Sequence, residues 1–351
     1  MSDSFTIEQL AIGDILLYRA ADGRNNVHSA LIRKLDGIEV SHAGLFVGDG
    51  TVAEALAVGE HAGLDTQPAG DSVAGSKWVV VRRLQQLPDT MAPILEVANQ
   101  YLGEHNRYAY GQIVLLAGIC LTRKLDLDDW LLRRVAREVF CQSTALLAKF
   151  RREGKEPMIC SEFVFRTYDE ARPEPNDPYS LEILSHEAEP RRWFSRLRRS
   201  WKAAPGMAPS VVPTVHPDSL LAQLQAAGET PERLLAATEK TVAATMPEED
   251  LDRLIEQYLA ETEGIVPGGS PAVTAGRTVS ADELLASARG FTTELAHADA
   301  RKVDTRNTRF GVSKGVAEMP PRTIADIAAD FVTPGDLLKS PSLKEIGTIC
   351  P

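Results

Sequence analysis

Ser41-His42-Ala43-Gly44-Leu45-Phe46-Val47-Gly48-Asp49-Gly50-Thr51-Val52-Ala53-Glu54 reads as a β-hairpin. Leu45-Phe46-Val47 is apolar and β-prone, Gly48-Asp49-Gly50 carries the turn signal, and Thr51 starts the return toward Leu56. With Gly48 to Gly50 as the loop, Gly44 faces Glu54. Side chains alternate faces along a strand, so His42 and Glu54 fall on one face as diagonal neighbours. Any odd loop length preserves this. A two-residue loop separates them, so the reading places a definite demand on the turn.

The second decisive stretch lies far downstream, Met158-Ile159-Cys160-Ser161-Glu162-Phe163-Val164. Pro157 breaks the chain before it. Cys160, Phe163, Val164, Thr167 and Tyr168 then recur at helical spacing, ending before Pro173. Cys160 therefore falls in a first helical turn, where unpaired backbone N–H groups and the helix dipole favour a thiolate. A thiol nucleophile needs a lowered pKa, a base and oxyanion donors. Cys160, His42 and Glu54 form a candidate nucleophile, base and orienting carboxylate. Each has a plainer reading: a core cysteine, a surface histidine and a solvated strand glutamate.

The rest of the chain sets the frame. Its 351 residues allow about two domains. Hydrophobic residues at 44% and charged residues at 25% suit a globular protein. A formal net charge of -11 argues against general nucleic-acid binding. Met1 to Phe5 shows no basic flank before an apolar run, and no apolar stretch is long enough to span a bilayer. A reduced, cytoplasmic setting is therefore expected. The four cysteines, Cys120, Cys141, Cys160 and Cys350, are too scattered for a disulfide framework or a zinc site. Cys120 and Cys141 read as core. His28, His61 and His105 have no partner at a useful spacing and read as structural or surface residues.

Ile15 to Tyr18 and Trp78 to Val81 read as strands, Val58 to Lys77 as a loop, and Pro93 to Gly103 as a helix. Asp126 to Phe150 is predicted to be one amphipathic helix or two. Residues 176–217 hold a basic aromatic segment, Arg191-Arg192-Trp193-Phe194 to Trp201-Lys202, and a proline-rich linker. The segment is a candidate membrane-surface contact, against the commoner reading of a helix with snorkelling arginines. Residues 218–330 read as acidic and helical with linkers. Ser280 and Glu283 make a capping box for a helix expected to run to about Ala298. The tail, 331–351, is expected to pack back on the first domain.

Taken together, these stretches resemble the NlpC-like cysteine peptidase superfamily. In SHAGLFVGDGTVAEAL a histidine opens a strand, and a polar residue follows at the family's spacing, here His42 and Glu54. CSEFV resembles the family's Asp-Cys-Ser-Gly-Phe motif at Cys160 and Ser161, with Ile159 in place of the Asp and Glu162 in place of the Gly. ANQYLGEHNRYAYGQ resembles its Tyr-x-x-Gly approach around Tyr108 and Tyr110, and IGDILLY its Pro-Gly-Asp-Leu strand. Here the histidine precedes the cysteine, which is the order of the circularly permuted papain-like branch, including the YiiX-like amidases and the lecithin–retinol acyltransferase group. The resemblance covers residues 10–172, with an insertion at about 118–156.

The resemblance implies an α+β, permuted papain-like catalytic domain over residues 1–175, with a small antiparallel sheet packed on the cysteine helix and a mostly helical C-terminal region. It implies a hydrolase of peptide, amino-acid or lipid-linked amides acting through a thioester, with no cofactor or metal required. Tyr108, Tyr110 and Ser161 become candidate substrate-binding residues, the tyrosines against a plainer reading as buried aromatics. Two other functions compete: a lipid acyltransferase or thioesterase of the same fold, and a non-catalytic interaction protein that works through its helical second half.

Overall fold

A computed structural model describes residues 5–21, 26–56, 63–103, 107–109, 112–171, 177–183, 216, 218–228, 248–263, 278–309 and 331–351. Six antiparallel strands form the main sheet: β1 (Ile15–Ala20), β2 (His42–Gly48), β3 (Thr51–Leu56), β4 (Gly63–Pro68), β5 (Ser76–Leu84) and β8 (Leu343–Ile349). Their order is β4-β3-β2-β1-β5-β8. Strand alternation gives the sheet two apolar faces. Leu16, Tyr18, Phe46, Val52, Val79 and Val81 line one face, covered by Ala69 and Val73 of helix α2 (Ala69–Ala74) and by Phe5, Ile7 and Leu10. Ile15, Leu17, Ala43, Leu45 and Ala53 line the other. Against it pack α3 (Ala92–Gly103) and α6 (Cys160–Asp169).

The region expected to be a loop between Val58 and Lys77 instead contains β4 and α2, although 57–62 lie outside the described residues. Polar, Pro- and Gly-flanked sequence suits an edge strand as well as a loop, because an edge strand buries only part of its surface.

The hairpin turn also differs from expectation. β2 runs to Gly48 and β3 starts at Thr51, so the turn proper is Asp49-Gly50. Both residues are left-handed, with φ of 49° and 69°, as two-residue hairpins prefer. A β-bulge between Phe46 and Gly48 inserts one residue and restores the parity, so Gly44 still faces Glu54.

Helices α1 (Val27–Asp36), α4 (Gln112–Thr122), α5 (Trp130–Glu153), α7 (Leu220–Ala226), α8 (Glu248–Glu263) and α9 (Ala281–Arg309) share a second core. The acidic C-terminal helices thus pack directly on the insertion. Leu251, Ile255, Leu284 and Phe291 bury against the same cluster as Leu131, Val135 and Phe140. Asp129 caps α5, its carboxylate accepting from the amides of Leu131 and Leu132. The Ser280–Glu283 capping box forms, with both reciprocal bonds at 3.1 Å. α9 runs past Ala298 to Arg309.

Two short parallel strands, β6 (Arg107–Ala109) and β7 (Glu156–Met158), bracket α4 and α5. A parallel pair needs a long crossover, and the helical insertion supplies it. The pairing brings the two ends of the insertion together immediately before Cys160.

The chain end returns to this assembly. Helix α10 (Pro334–Lys339) starts at Thr333, whose hydroxyl accepts from the Asp336 amide at 3.1 Å, and β8 pairs with β5. Arg123, on the turn after α4, bridges Asp36 of α1 at 3.0 Å and Asp336 at 3.1 Å, all three buried. Thr333 also donates to Asp36 at 2.8 Å.

Candidate active site

His42 opens β2 and Glu54 lies in β3, on the terminal rungs of the strand pair. The bulged register sets them on one face, and Nε2 of His42 lies 2.5 Å from Oε2 of Glu54. With Nε2 engaged, Nδ1 is the ring nitrogen left for another partner. The Cys160 thiol interacts with the imidazole through charge and a hydrogen bond. Cys160 packs on Ala55, which alternates to the face opposite Glu54. His42 occupies the first position of β2.

Cys160 is the first residue of α6, with Ile159 as the N-cap. The Ile159 amide donates to Glu162 at 3.5 Å, which closes the first turn. Further along, Arg166 bridges Glu162 at 2.8 Å and Glu170 at 3.4 Å. Tyr168 donates to the Gly13 carbonyl. The cysteine therefore sits at the end of a helix fixed on several sides.

Cys160 and His42 each favour the charged form of the other. Burial opposes charge at Cys160, but the His42 charge and hydrogen bond, with the amides of Ala43 and Ser161, outweigh it and lower the thiol's pKa. Cys120 is the internal contrast: buried without such partners, its thiol is pushed up to about 12. At His42 burial likewise opposes charge. Cys160, through charge and hydrogen bonding, and then Glu54 overcome it and push the imidazole up to about 10. Glu54 is held charged against burial by His42 first, then by hydrogen bonds from Gln67 and Ser72. The side chain of Glu54 is 3% exposed and that of His42 24%, so the imidazole retains an opening to solvent and the carboxylate does not.

Ser161, expected to bind substrate, is fully buried and donates to the Val332 carbonyl at 2.6 Å. Its hydroxyl anchors the chain end to α6, and only its amide reaches Cys160. Tyr108 lies in β6, in register with Pro157 of β7. Tyr110, His61, His105 and the basic 191–202 segment, Arg191 to Lys202, lie outside the described residues. His28 does have a partner: its Nε2 lies 3.0 Å from Asp252 of α8. Cys120 and Cys141 are buried in or beside the helical core. Among the described residues no group of three or more His, Cys, Asp or Glu side chains forms a metal-holding cluster. No described helix is long and apolar enough to cross a membrane.

No family model matches this chain, and no curated protein matches it in sequence. Among solved structures, it is similar to the crystal structure of metalloprotein yiiX from Escherichia coli O157:H7, DUF1105. The identity is 17%, the match covers 56% of this chain and 86% of that one, and the TM-score is 0.28.

Three residues around His42 and Glu54 were not legible in the sequence. Gln67 of β4 donates to Oε1 of Glu54 at 2.5 Å. Tyr18, opposite His42 in register, lies with its ring centroid 5.1 Å from the imidazole and bonds Ser72 at 2.6 Å. Gly44 makes room for that tyrosine. A Cβ there would lie 2.8 Å from Val52 Cγ1 and 2.9 Å from the Tyr18 hydroxyl. Gly44→Ala is expected to cost about 1–3 kcal/mol of stability through overpacking, read as a lowered urea midpoint.

Proposed function

We propose that this chain is a cysteine-dependent amide-bond hydrolase with a permuted papain-like domain. Cys160 is the nucleophile, His42 the base and Glu54 its orienting group. The observation that carries the reading is the sequence of contacts from Glu54 to Nε2 of His42 and from the imidazole to a thiol at the first turn of α6. Burial alone would hold Cys160 as an inert thiol, as it does Cys120. A thiol brought from a distant segment onto a histidine and carboxylate of one hairpin is instead what a nucleophile requires.

In the proposed cycle the Cys160 thiolate attacks the amide carbonyl carbon, and the π electrons move to the oxygen. Backbone amides of the α6 first turn would be the donors for that oxyanion. The tetrahedral species collapses, the C–N bond breaks, and the His42 imidazolium gives its proton to the leaving amine. A thioester remains. His42, now neutral, takes a proton from water, the hydroxide attacks the thioester, and Cys160 leaves as thiolate with the imidazolium restored. No cofactor enters the balance. The substrate class is a peptide, an amino-acid amide or a lipid-linked amide.

The test is intact mass after incubation with a panel of peptide, amide and acyl-ester substrates. The expected result is an adduct of acyl mass on Cys160, absent from Cys160→Ala and cleared by water. An adduct that forms equally on Cys160→Ala overturns the assignment. A long-chain acyl-enzyme that persists and passes to an added acceptor points instead to the lipid acyltransferase chemistry of the same fold.

A further inference from the structure

We infer that Gln67, on the edge strand β4, is a positioning residue that holds the Glu54 carboxylate in register with His42. The inference rests on the reading of Cys160, His42 and Glu54 given above and extends it by one residue outward.

The geometry separates the two carboxylate oxygens of Glu54. Oε2 faces Nε2 of His42 at 2.5 Å, and Oε1 accepts from Nε2 of Gln67, also at 2.5 Å. Ser72 of α2 adds another hydrogen bond to the same carboxylate, and its hydroxyl is paired in turn with Tyr18 at 2.6 Å. A glutamate on a strand has three side-chain torsions to fix, and this one is 2% exposed, so bulk water does not supply the missing partners. Hydrogen bonds donated to a buried carboxylate favour its charged form. A charged, fixed Glu54 in turn favours the imidazolium, and the imidazolium favours the thiolate.

The competing role is cross-strand glue between β3 and β4. Those strands already pair over six rungs from Thr51–Pro68 to Leu56–Gly63, so their alignment does not depend on a glutamine side chain. Gln67 faces Val52 in register, which puts it on the face that carries Glu54. Other titratable groups on this face include Tyr18 of β1 and Asp65 of β4, with the Arg83–Asp14 pair toward its far end and Asp71 in the α2 helix that covers it. Asp65 accepts from the Thr66 amide at 2.7 Å. From α6, the opposing charge is Cys160 itself.

The experiment uses the full chain and iodoacetamide, with alkylation of the Cys160 peptide followed by mass from pH 5 to 10. Reading that peptide avoids interference from Cys350, which is exposed. In the wild type the midpoint should lie well below that of an ordinary thiol. Gln67→Met keeps the length and removes the donor. It is expected to raise the midpoint by about one pH unit and slow alkylation about tenfold at pH 6, with rates converging above pH 9. The ring titration of His42, read by NMR, should fall in parallel. Ser72→Ala should move both in the same direction by less, and this supplies the test if Gln67→Met does not fold. A structural role alone would lower the melting temperature and leave both titrations in place, and that result overturns the inference. The two levels remain distinguishable. A wild-type Cys160 that titrates as an ordinary thiol removes the ion pair itself. A low wild-type midpoint unmoved by Gln67→Met removes only the role of Gln67.

Discussion

His42→Ala is expected to slow alkylation of Cys160 by about three orders of magnitude at pH 7. Two opposing forces set the size of this effect. Burial raises the pKa of a thiol, and Cys120, pushed up to about 12, shows how far it acts in this protein without compensation. At Cys160 the first compensating influence is the His42 charge, followed by its hydrogen bond, with the amides of Ala43 and Ser161 behind them. Removing the imidazole leaves the two amides and the helix terminus. Those keep the thiol below the Cys120 level but well above neutrality, so the thiolate fraction at pH 7 collapses. Because thiolate is the alkylated species, the loss shrinks as pH rises and nearly vanishes above about pH 11. A His42→Ala rate within threefold of wild type at pH 7 would mean that backbone amides and the helix dipole suffice to ionise Cys160. The base assignment would then fail.

What could be read from sequence, and what could not, follows from the range of the interactions. The pairing of Gly44 with Glu54 was legible because a hairpin is local and side-chain alternation is strict. The way it is achieved was not. Asp49-Gly50 alone would put His42 and Glu54 on opposite faces, and the bulge after Phe46 restores them, yet no residue type in Leu45-Phe46-Val47 announces a bulge. Cys160 at a helix start was legible from Pro157 and the stripe that follows. Gln67 was missed for a different reason. Gly63-Leu64-Asp65-Thr66-Gln67-Pro68 has little apolar alternation, because β4 is an edge strand with most of one side exposed, so it reads as loop. The helical character of α8 and α9 was visible, but a helical pattern does not name what covers a helix's buried face. Their partner is α5, inside the insertion. The motif resemblance makes Ser161 a candidate substrate-binding residue. The acceptor of its hydroxyl, Val332, lies at a sequence distance that no local pattern reports.

Arg123→Met should destabilise the protein by about 3–5 kcal/mol, the second large effect expected. The arginine is buried, and burial works against its charge. Asp336 and Asp36 outweigh that and raise its pKa, so it remains charged. Methionine matches much of its length but removes the cation that bridges two carboxylates held out of water. Hydrogen bonds from Thr333, its hydroxyl to Asp36 at 2.8 Å and its amide to Asp336 at 2.9 Å, do not replace that charge. The urea midpoint of Arg123→Met should therefore fall sharply. Adding Asp36→Asn and Asp336→Asn should recover most of the loss, because each asparagine keeps an acceptor for Thr333 and removes the charge. A triple variant no more stable than Arg123→Met would show that packing, and not uncompensated charge, sets the cost. The location of this cluster gives it a functional consequence. Thr333 follows Val332, whose carbonyl holds Ser161, and β8 beyond α10 completes the sheet at β5. The buried triad of charges thus fastens the chain end to α1 and α4, and the chain end fastens the first turn of α6. Loosening it should blunt the low-pH reactivity of Cys160 as well as lower the midpoint, even though none of the three charged residues touches the thiol.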